Sequence, residues 1–314
     1  MIIQHKGDAR VPGPLGSSIY STGGWGPQPG QRLPGPLGNR LWERDKLTPA
    51  SQNAPTKAAK STTMPPPYDD AGKNVHVVTL PHFNGAPALA QVKQAPDIGN
   101  CPVAAILAAL AFTASGRNII SRMVTKKDAT TVTDLTGIAL SNPPAGNSLT
   151  SPRYFTIKLP AGEIDVSDVL YTNDGDRNWS ILYMQDPGGR TIWASLIEKA
   201  LAVQLNGYDK LTDTITANAY WKMVTGVDPD GFAINDDTPL PKIVEAAKAA
   251  TRVPTLAASK PNASDIMFVE DEHHGFAMMG LDGAKIKLYN PHAKTISVSP
   301  SEFRHDFQAI LFSR

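Results

Sequence analysis

The chain has 314 residues, 30 Lys and Arg against 29 Asp and Glu, and a single cysteine. A net charge of +1 offers no cationic surplus for nucleic-acid phosphates or an anionic membrane, so neither is expected as a partner. One thiol also excludes an intramolecular disulfide framework. The longest apolar run, Pro102 to Ala114, is shorter than the roughly 20 residues a spanning helix needs. The opening Met1-Ile2-Ile3-Gln4-His5-Lys6-Gly7 is not followed by the apolar core of a signal peptide. The expected location is cytoplasmic, or outside the cell by a route independent of a signal peptide.

Residues 1–70 hold 11 of the 27 prolines and 9 of the 25 glycines. Such a stretch buries too little apolar surface to offset its ordering entropy. It contains the repeat Pro12-Gly13-Pro14-Leu15-Gly16 and Pro34-Gly35-Pro36-Leu37-Gly38, and its first 60 residues carry 8 basic and 3 acidic side chains. A flexible, mildly basic tail is expected over 1–70, and one domain over 71–314. A linker, a docking segment, an autoinhibitory segment and an export segment all fit the tail's composition. Pro65-Pro66-Pro67-Tyr68 has the form of a WW-domain ligand, a tetrapeptide common by chance.

Asn100 to Ala114 reads as a helix that is apolar all round and therefore buried, with Asn100 as N-cap and Pro102 in the first turn. Ile192 to Leu205 reads as an amphipathic helix. Trp193, Leu196, Ile197, Ala200 and Leu201 take its inner face, and Glu198, Lys199 and Gln204 its outer one. A third helix is expected over Pro241 to Ala250. Beyond Asp265 short alternating strands run to about Phe312. Helices first and strands last predict an α+β domain with segregated lobes.

His274 to Asn290 reads as a hairpin turning at Asp282-Gly283. A three-residue loop with Gly283 left-handed pairs Met278 with Ile286 and Phe276 with Leu288 on the core side, and sends Lys285 and Lys287 to the other face. The same register places His274 opposite Asn290, with Cβ atoms about 5 Å apart. The Asn290 amide oxygen then fixes the imidazole tautomer and leaves the second ring nitrogen for proton transfer.

Cys101 starts the buried helix, where unpaired amides and the dipole favour a thiolate. By itself it fits a small buried hydrophobe as well as a nucleophile. A helix-initial Cys upstream of a His and then an Asn is, in addition, the chain order of one large class of thiol proteases.

These residues resemble the calpain protease core. Gly99-Asn100-Cys101-Pro102 is similar to its Gly-Asp-Cys-Trp element and His274-Gly275-Phe276 to its His-Ala-Tyr motif. Tyr289-Asn290-Pro291-His292 matches its Arg-Asn-Pro-Trp motif at Asn290 and Pro291. Trp193-Ala194-Ser195-Leu196-Ile197-Glu198-Lys199-Ala200, continued by Asn206-Gly207-Tyr208, resembles its Trp-x-x-Leu-Leu-Glu-Lys-Ala helix and Asn-Gly-Ser-Tyr continuation. The resemblance spans about residues 92–312. It implies a papain-like fold, a helical lobe carrying Cys101 and an antiparallel β lobe carrying His274 and Asn290. It further implies a cysteine endopeptidase acting on protein or peptide substrates through a thioester, with Gln94 and the Cys101 amide as oxyanion hole. Gln94 stands seven residues before Cys101, where the family has six. His292 replaces the Trp that shields the His–Asn bond, so a wetter bond is expected.

No cofactor is expected. Calpain cores bind calcium in two loops, but Asp174-Gly175-Asp176 and Asp228-Pro229-Asp230-Gly231 read as turns that supply no assignable ligand set, and no calcium-binding helix-loop-helix sequence is present. Calcium stays open on that basis. Glu270-Asp271-Glu272-His273-His274 reads as a solvated acidic loop rather than a metal cluster, because consecutive strand residues alternate faces. Two other functions share the same residues: non-proteolytic thiol chemistry such as deamidation, transglutamination or acyl transfer, and a binding or scaffold protein on a decayed protease fold. The tail suits a delivered effector, a docking segment for a partner or delivery apparatus, or an inhibitory segment occupying the cleft.

Overall fold

A computed structural model describes residues 74–94, 99–127, 152–174, 179–211, 216–261, 263 and 274–313. The Pro/Gly-rich segment 1–70, the end of Asp174-Gly175-Asp176 and the acidic run Glu270 to His273 lie outside the described residues.

The chain mixes helix and antiparallel sheet. Its described elements are β1 (Asn74–Val77), α1 (Cys101–Phe112), α2 (Ala114–Met123), β2 (Val124–Lys127), β3 (Tyr154–Leu159), β4 (Gly162–Ser167), β5 (Val169–Asp174), β6 (Trp179–Ile181) and α3 (Trp193–Leu205). They continue with α4 (Ala217–Thr225), β7 (Asp230–Ala233), α5 (Leu240–Ala249), β8 (Thr255–Ser259), β9 (Gly275–Asp282), β10 (Lys285–Asn290), β11 (Lys294–Val298), α6 (Pro300–Asp306) and β12 (Phe307–Phe312). Helices do not all precede strands. Five strands lie between α2 and α3, in sheets ordered β2-β3-β4 and β1-β5-β6, and α6 interrupts the terminal strands.

The third sheet, ordered β11-β10-β9-β8-β12-β7, separates two apolar clusters. One face carries Ala257, Phe276, Met278, Leu288 and Ile310 and packs with Ile243 and Ala247 of α5 and Phe303 of α6. Leu256, Ala258, Ala277, Tyr289 and Leu311 belong to the other face, which joins α1. Burial on both faces explains why these strands read as nearly unbroken apolar runs.

Every residue of α1 from Cys101 to Ala111 is buried, as its all-round apolarity requires. Its alanines keep the surface low, so the sheet approaches closely on one side and α4 on another. The helix ends at Phe112 rather than running to Ala114, because Thr113 takes extended backbone and caps α2, its Oγ1 accepting from the Gly116 N–H at 3.1 Å. The two helices meet at 115°. Among the described residues no single helix is long and apolar enough to cross a membrane. A Cβ at Gly116 would lie 2.2 Å from the Leu110 carbonyl oxygen, a backbone atom that cannot swing aside. Gly116→Ala is expected to cost about 2–3 kcal/mol, read from the urea midpoint.

Candidate active site

The hairpin forms but turns one residue later than the alternation suggests. Asp282 pairs with Lys285, so the loop is Gly283-Ala284, and only Gly283 has positive φ (+61°), the pattern of a type II′ turn. Gly280 faces Lys287, and then the register shifts, so that Met278 faces Leu288 and Met279 is left as a bulge. The expected pairs Met278 with Ile286 and Phe276 with Leu288 are therefore displaced by two residues. Continued one step, the observed register sets Asn290 across from Phe276. His274 is thus not directly opposite Asn290 but one diagonal step away on the same face.

That diagonal is short enough. Nε2 of His274 lies 3.0 Å from Oδ1 of Asn290, and the same oxygen accepts the backbone N–H of His292 at 2.9 Å. A backbone N–H donates to the oxygen of an amide and not to its nitrogen, which fixes the orientation of the Asn290 side chain. The ring nitrogen facing that oxygen carries the proton, so His274 presents Nδ1 as its basic nitrogen. The His274 backbone is pinned too: its N–H donates to Ser259 Oγ at 2.9 Å, and its carbonyl accepts the Ser259 N–H at 2.9 Å.

The pair is buried, whereas the replacement of Trp by His292 predicts a wetter bond. His274 is 5% exposed and Asn290 1%. The His292 ring stacks on His274 with centroids 5.3 Å apart and planes at 7°, while Phe276 closes the edge at 4.9 Å. A parallel imidazole thus covers the histidine. Burial pushes the His274 pKa down to about 4; the field of His292 acts in the same direction and the Asn290 bond opposes both. The ring is neutral at pH 7.

Cys101 is the first residue of α1 and is 2% exposed. Its helix packs on β9 and β10, and Cys101 shares an apolar cluster with Ala277 and Tyr289 of those strands. Asn100 holds the N-cap position without a side-chain cap bond. Gln94 is buried, and its backbone N–H donates to the Pro291 carbonyl at 2.8 Å, next to Asn290. The Tyr289 hydroxyl donates to the Val92 carbonyl at 2.7 Å, and Lys93 bridges to Gln185. The structure therefore joins His274 to Asn290 and ties the Gln94 backbone to the same strand end. Cys101 stands at the head of the helix laid on those strands.

Sequence reasoning missed what α3 does. Its residues from Trp193 to Ala202 are all buried, so Glu198 and Lys199 do not form an outer face. Trp193 Nε1 donates to Gln91 Oε1 at 2.8 Å. Glu198 accepts from Asn100 Nδ2 through Oε1 and from the Met184 N–H at 2.8 Å through Oε2. Lys199 Nζ donates to the Ser167 carbonyl at 3.0 Å, Ser167 Oγ at 3.1 Å and the Val169 carbonyl at 2.6 Å. One helix thus holds the segments flanking Gln94 and Cys101 as well as the junction of β4 and β5.

Among the described residues no three His, Cys, Asp or Glu side chains are drawn together. Asp228 pairs with Lys222 at 3.2 Å, and Asp230 begins β7 instead of lying in a turn. The calcium left open by the calpain resemblance therefore finds no converging donor set among these residues. No protein-family model matches the chain, and no curated protein matches it.

Proposed function

We propose that the chain is a papain-like cysteine endopeptidase of calpain type, with Cys101 as nucleophile, His274 as base and Asn290 as its orienting partner. The observation that carries this reading is the buried His274–Asn290 bond, which leaves Nδ1 as the one basic ring nitrogen.

In this reading Nδ1 takes the Cys101 proton as Sγ attacks the scissile carbonyl carbon. The Cys101 backbone N–H and the Gln94 side-chain amide donate to the resulting oxyanion. His274 returns the proton to the departing amine as the C–N bond breaks, leaving an acyl thioester on Cys101. A water then gives its proton to His274 as it attacks the thioester carbonyl, the C–S bond breaks to release the acid, and His274 returns the proton to Sγ. The neutral state of His274 suits this sequence, because the base is ready to accept at the start of each turnover.

The test is cleavage of casein by the full chain, followed with calcium and with a chelator, beside Cys101→Ala. Fragments that appear in either condition with the parent chain and vanish in the variant support an endopeptidase. Intact casein that has lost ammonia at glutamine side chains, or become crosslinked, points to non-proteolytic thiol chemistry. No change to casein by a folded protein points to the scaffold.

A further inference from the structure

Building on the thiol-protease reading, we infer that Glu198 is a positioning residue for Cys101, acting through the side chain of Asn100. Glu198 is completely buried on α3, ninety-eight residues from Asn100 in sequence, and one carboxyl holds both the Asn100 amide and the Met184 N–H.

Asn is a favoured N-cap because its oxygen accepts an amide of the first helical turn. Asn100 occupies that position at the start of α1, and its own carbonyl accepts the first helical bond from the Ala104 N–H at 3.2 Å. Its side chain nevertheless makes no cap bond, and its Oδ1 is buried without a hydrogen-bond partner. Leaving such an oxygen unsatisfied is costly, and the local remedy of turning onto the helix amides goes unused. The Asn100 backbone, at φ −88° and ψ 19° rather than extended, keeps the side chain off those amides, and Glu198 takes it up instead. The consequence falls on the next residue: the peptide from Asn100 to Cys101 is fixed from outside the helix, against a buried and rigid strut, rather than by a local cap free to adjust with the loop.

Both protonation states of Glu198 make this tie. Burial pushes its carboxyl up to about 8. As a carboxylate it accepts from Asn100 Nδ2; as an acid it donates to Oδ1 of a reversed amide. Geometry, more than charge, is therefore what Glu198 supplies. Glu198→Gln preserves it, with Oε1 accepting from Met184 and Nε2 donating to Asn100 Oδ1. Glu198→Ala and Asn100→Ala each remove it.

Cys101 is the sole thiol, so its carbamidomethylation by iodoacetamide can be followed by intact mass on the full chain without a substrate. We would measure that rate, casein cleavage and thermal stability in the parent, the three single variants and the Glu198→Ala/Asn100→Ala pair. Glu198→Gln is expected to stay within about threefold of the parent in both rates. Glu198→Ala and Asn100→Ala are each expected to lose about tenfold to a hundredfold, as a misplaced reacting group does, and the double variant no more than either single. Equal damage from Gln and Ala, unchanged rates in Glu198→Ala, or losses that multiply in the double variant would each overturn the assignment. If Glu198→Ala does not fold, Asn100→Ala against Glu198→Gln makes the same comparison. A parent that leaves casein intact while the alkylation pattern holds defeats the protease reading and not the positioning role; cleavage without that pattern does the reverse.

Discussion

Replacing Lys199 by Met, which keeps most of the side chain's volume, is expected to destabilise the protein by about 3–5 kcal/mol near pH 10 and by less at neutral pH, where the parent bears the cost of discharging a buried lysine. Lys199 is 2% exposed, and its Nζ donates to acceptors at the β4–β5 junction, the Ser167 carbonyl and hydroxyl and the Val169 carbonyl. Without Nζ the two carbonyls lose a donor inside the protein, at about 1–3 kcal/mol each, while the hydroxyl can turn elsewhere. The readout is a urea midpoint that moves with an unchanged slope, and a melting temperature lower by about 10 °C. The pH dependence supplies a second check. Burial holds Lys199 down at about 7, against 10.5 when exposed, so between those values the unfolded chain binds the extra proton and stability rises with pH. That rise should be missing from Lys199→Met. An exposed lysine would give neither result, its loss being worth less than about 0.5 kcal/mol.

The burial of α3 was partly legible. Glu198, Lys199 and Gln204 do not cluster on a helical wheel at about 100° per residue; they divide it into three roughly equal sectors, so no single solvent face existed for them. Charged residues scattered around an otherwise apolar helix call for buried partners. Which partners could not be read, because Asn100 lies 98 residues away and Val169 30 residues away along the chain. Long-range pairing of this kind follows from the packing and not from local pattern.

The hairpin is a case in which the pairing was wrong and its consequence survived. Apolar alternation cannot register a bulge, since one unpaired residue resets the parity of a strand. Here the later turn and the Met279 bulge together displace the pairing by two, an even number, so His274 and Asn290 remain on one face and meet along a diagonal. Other omissions had plain signals. Tyr154-Phe155-Thr156-Ile157-Lys158-Leu159 alternates as β3 does, and Ser299-Pro300-Ser301-Glu302 is the capping box that opens α6. The cover over His274 was harder to foresee: that an imidazole could replace an indole depends on the 7° stacking seen only in three dimensions.

That cover has a measurable thermodynamic consequence. With its pKa lowered from 6.5 to about 4, His274 stays neutral in the folded protein while its unfolded counterpart takes up a proton. Between these values the unfolded state binds more protons, so the contribution of His274 is intact above about pH 6.5 and is lost as pH falls through 4. The shift amounts to about 3 kcal/mol. Glu198, raised to about 8 from 4.5, works in the opposite sense over pH 4.5 to 8, because there the folded state holds the proton. The two effects overlap, and the difference between the parent and His274→Gln separates them, since Glu198 contributes equally to both. On lowering the pH from 7 to 4, the parent is expected to lose about 3 kcal/mol more than His274→Gln, measured by urea unfolding at each pH. Asn290→Asp should weaken the same acid loss by placing a carboxylate against Nε2 and raising the imidazole pKa. Equal acid loss in the parent and His274→Gln would mean that water reaches the ring and that the stacked His292 does not cover it.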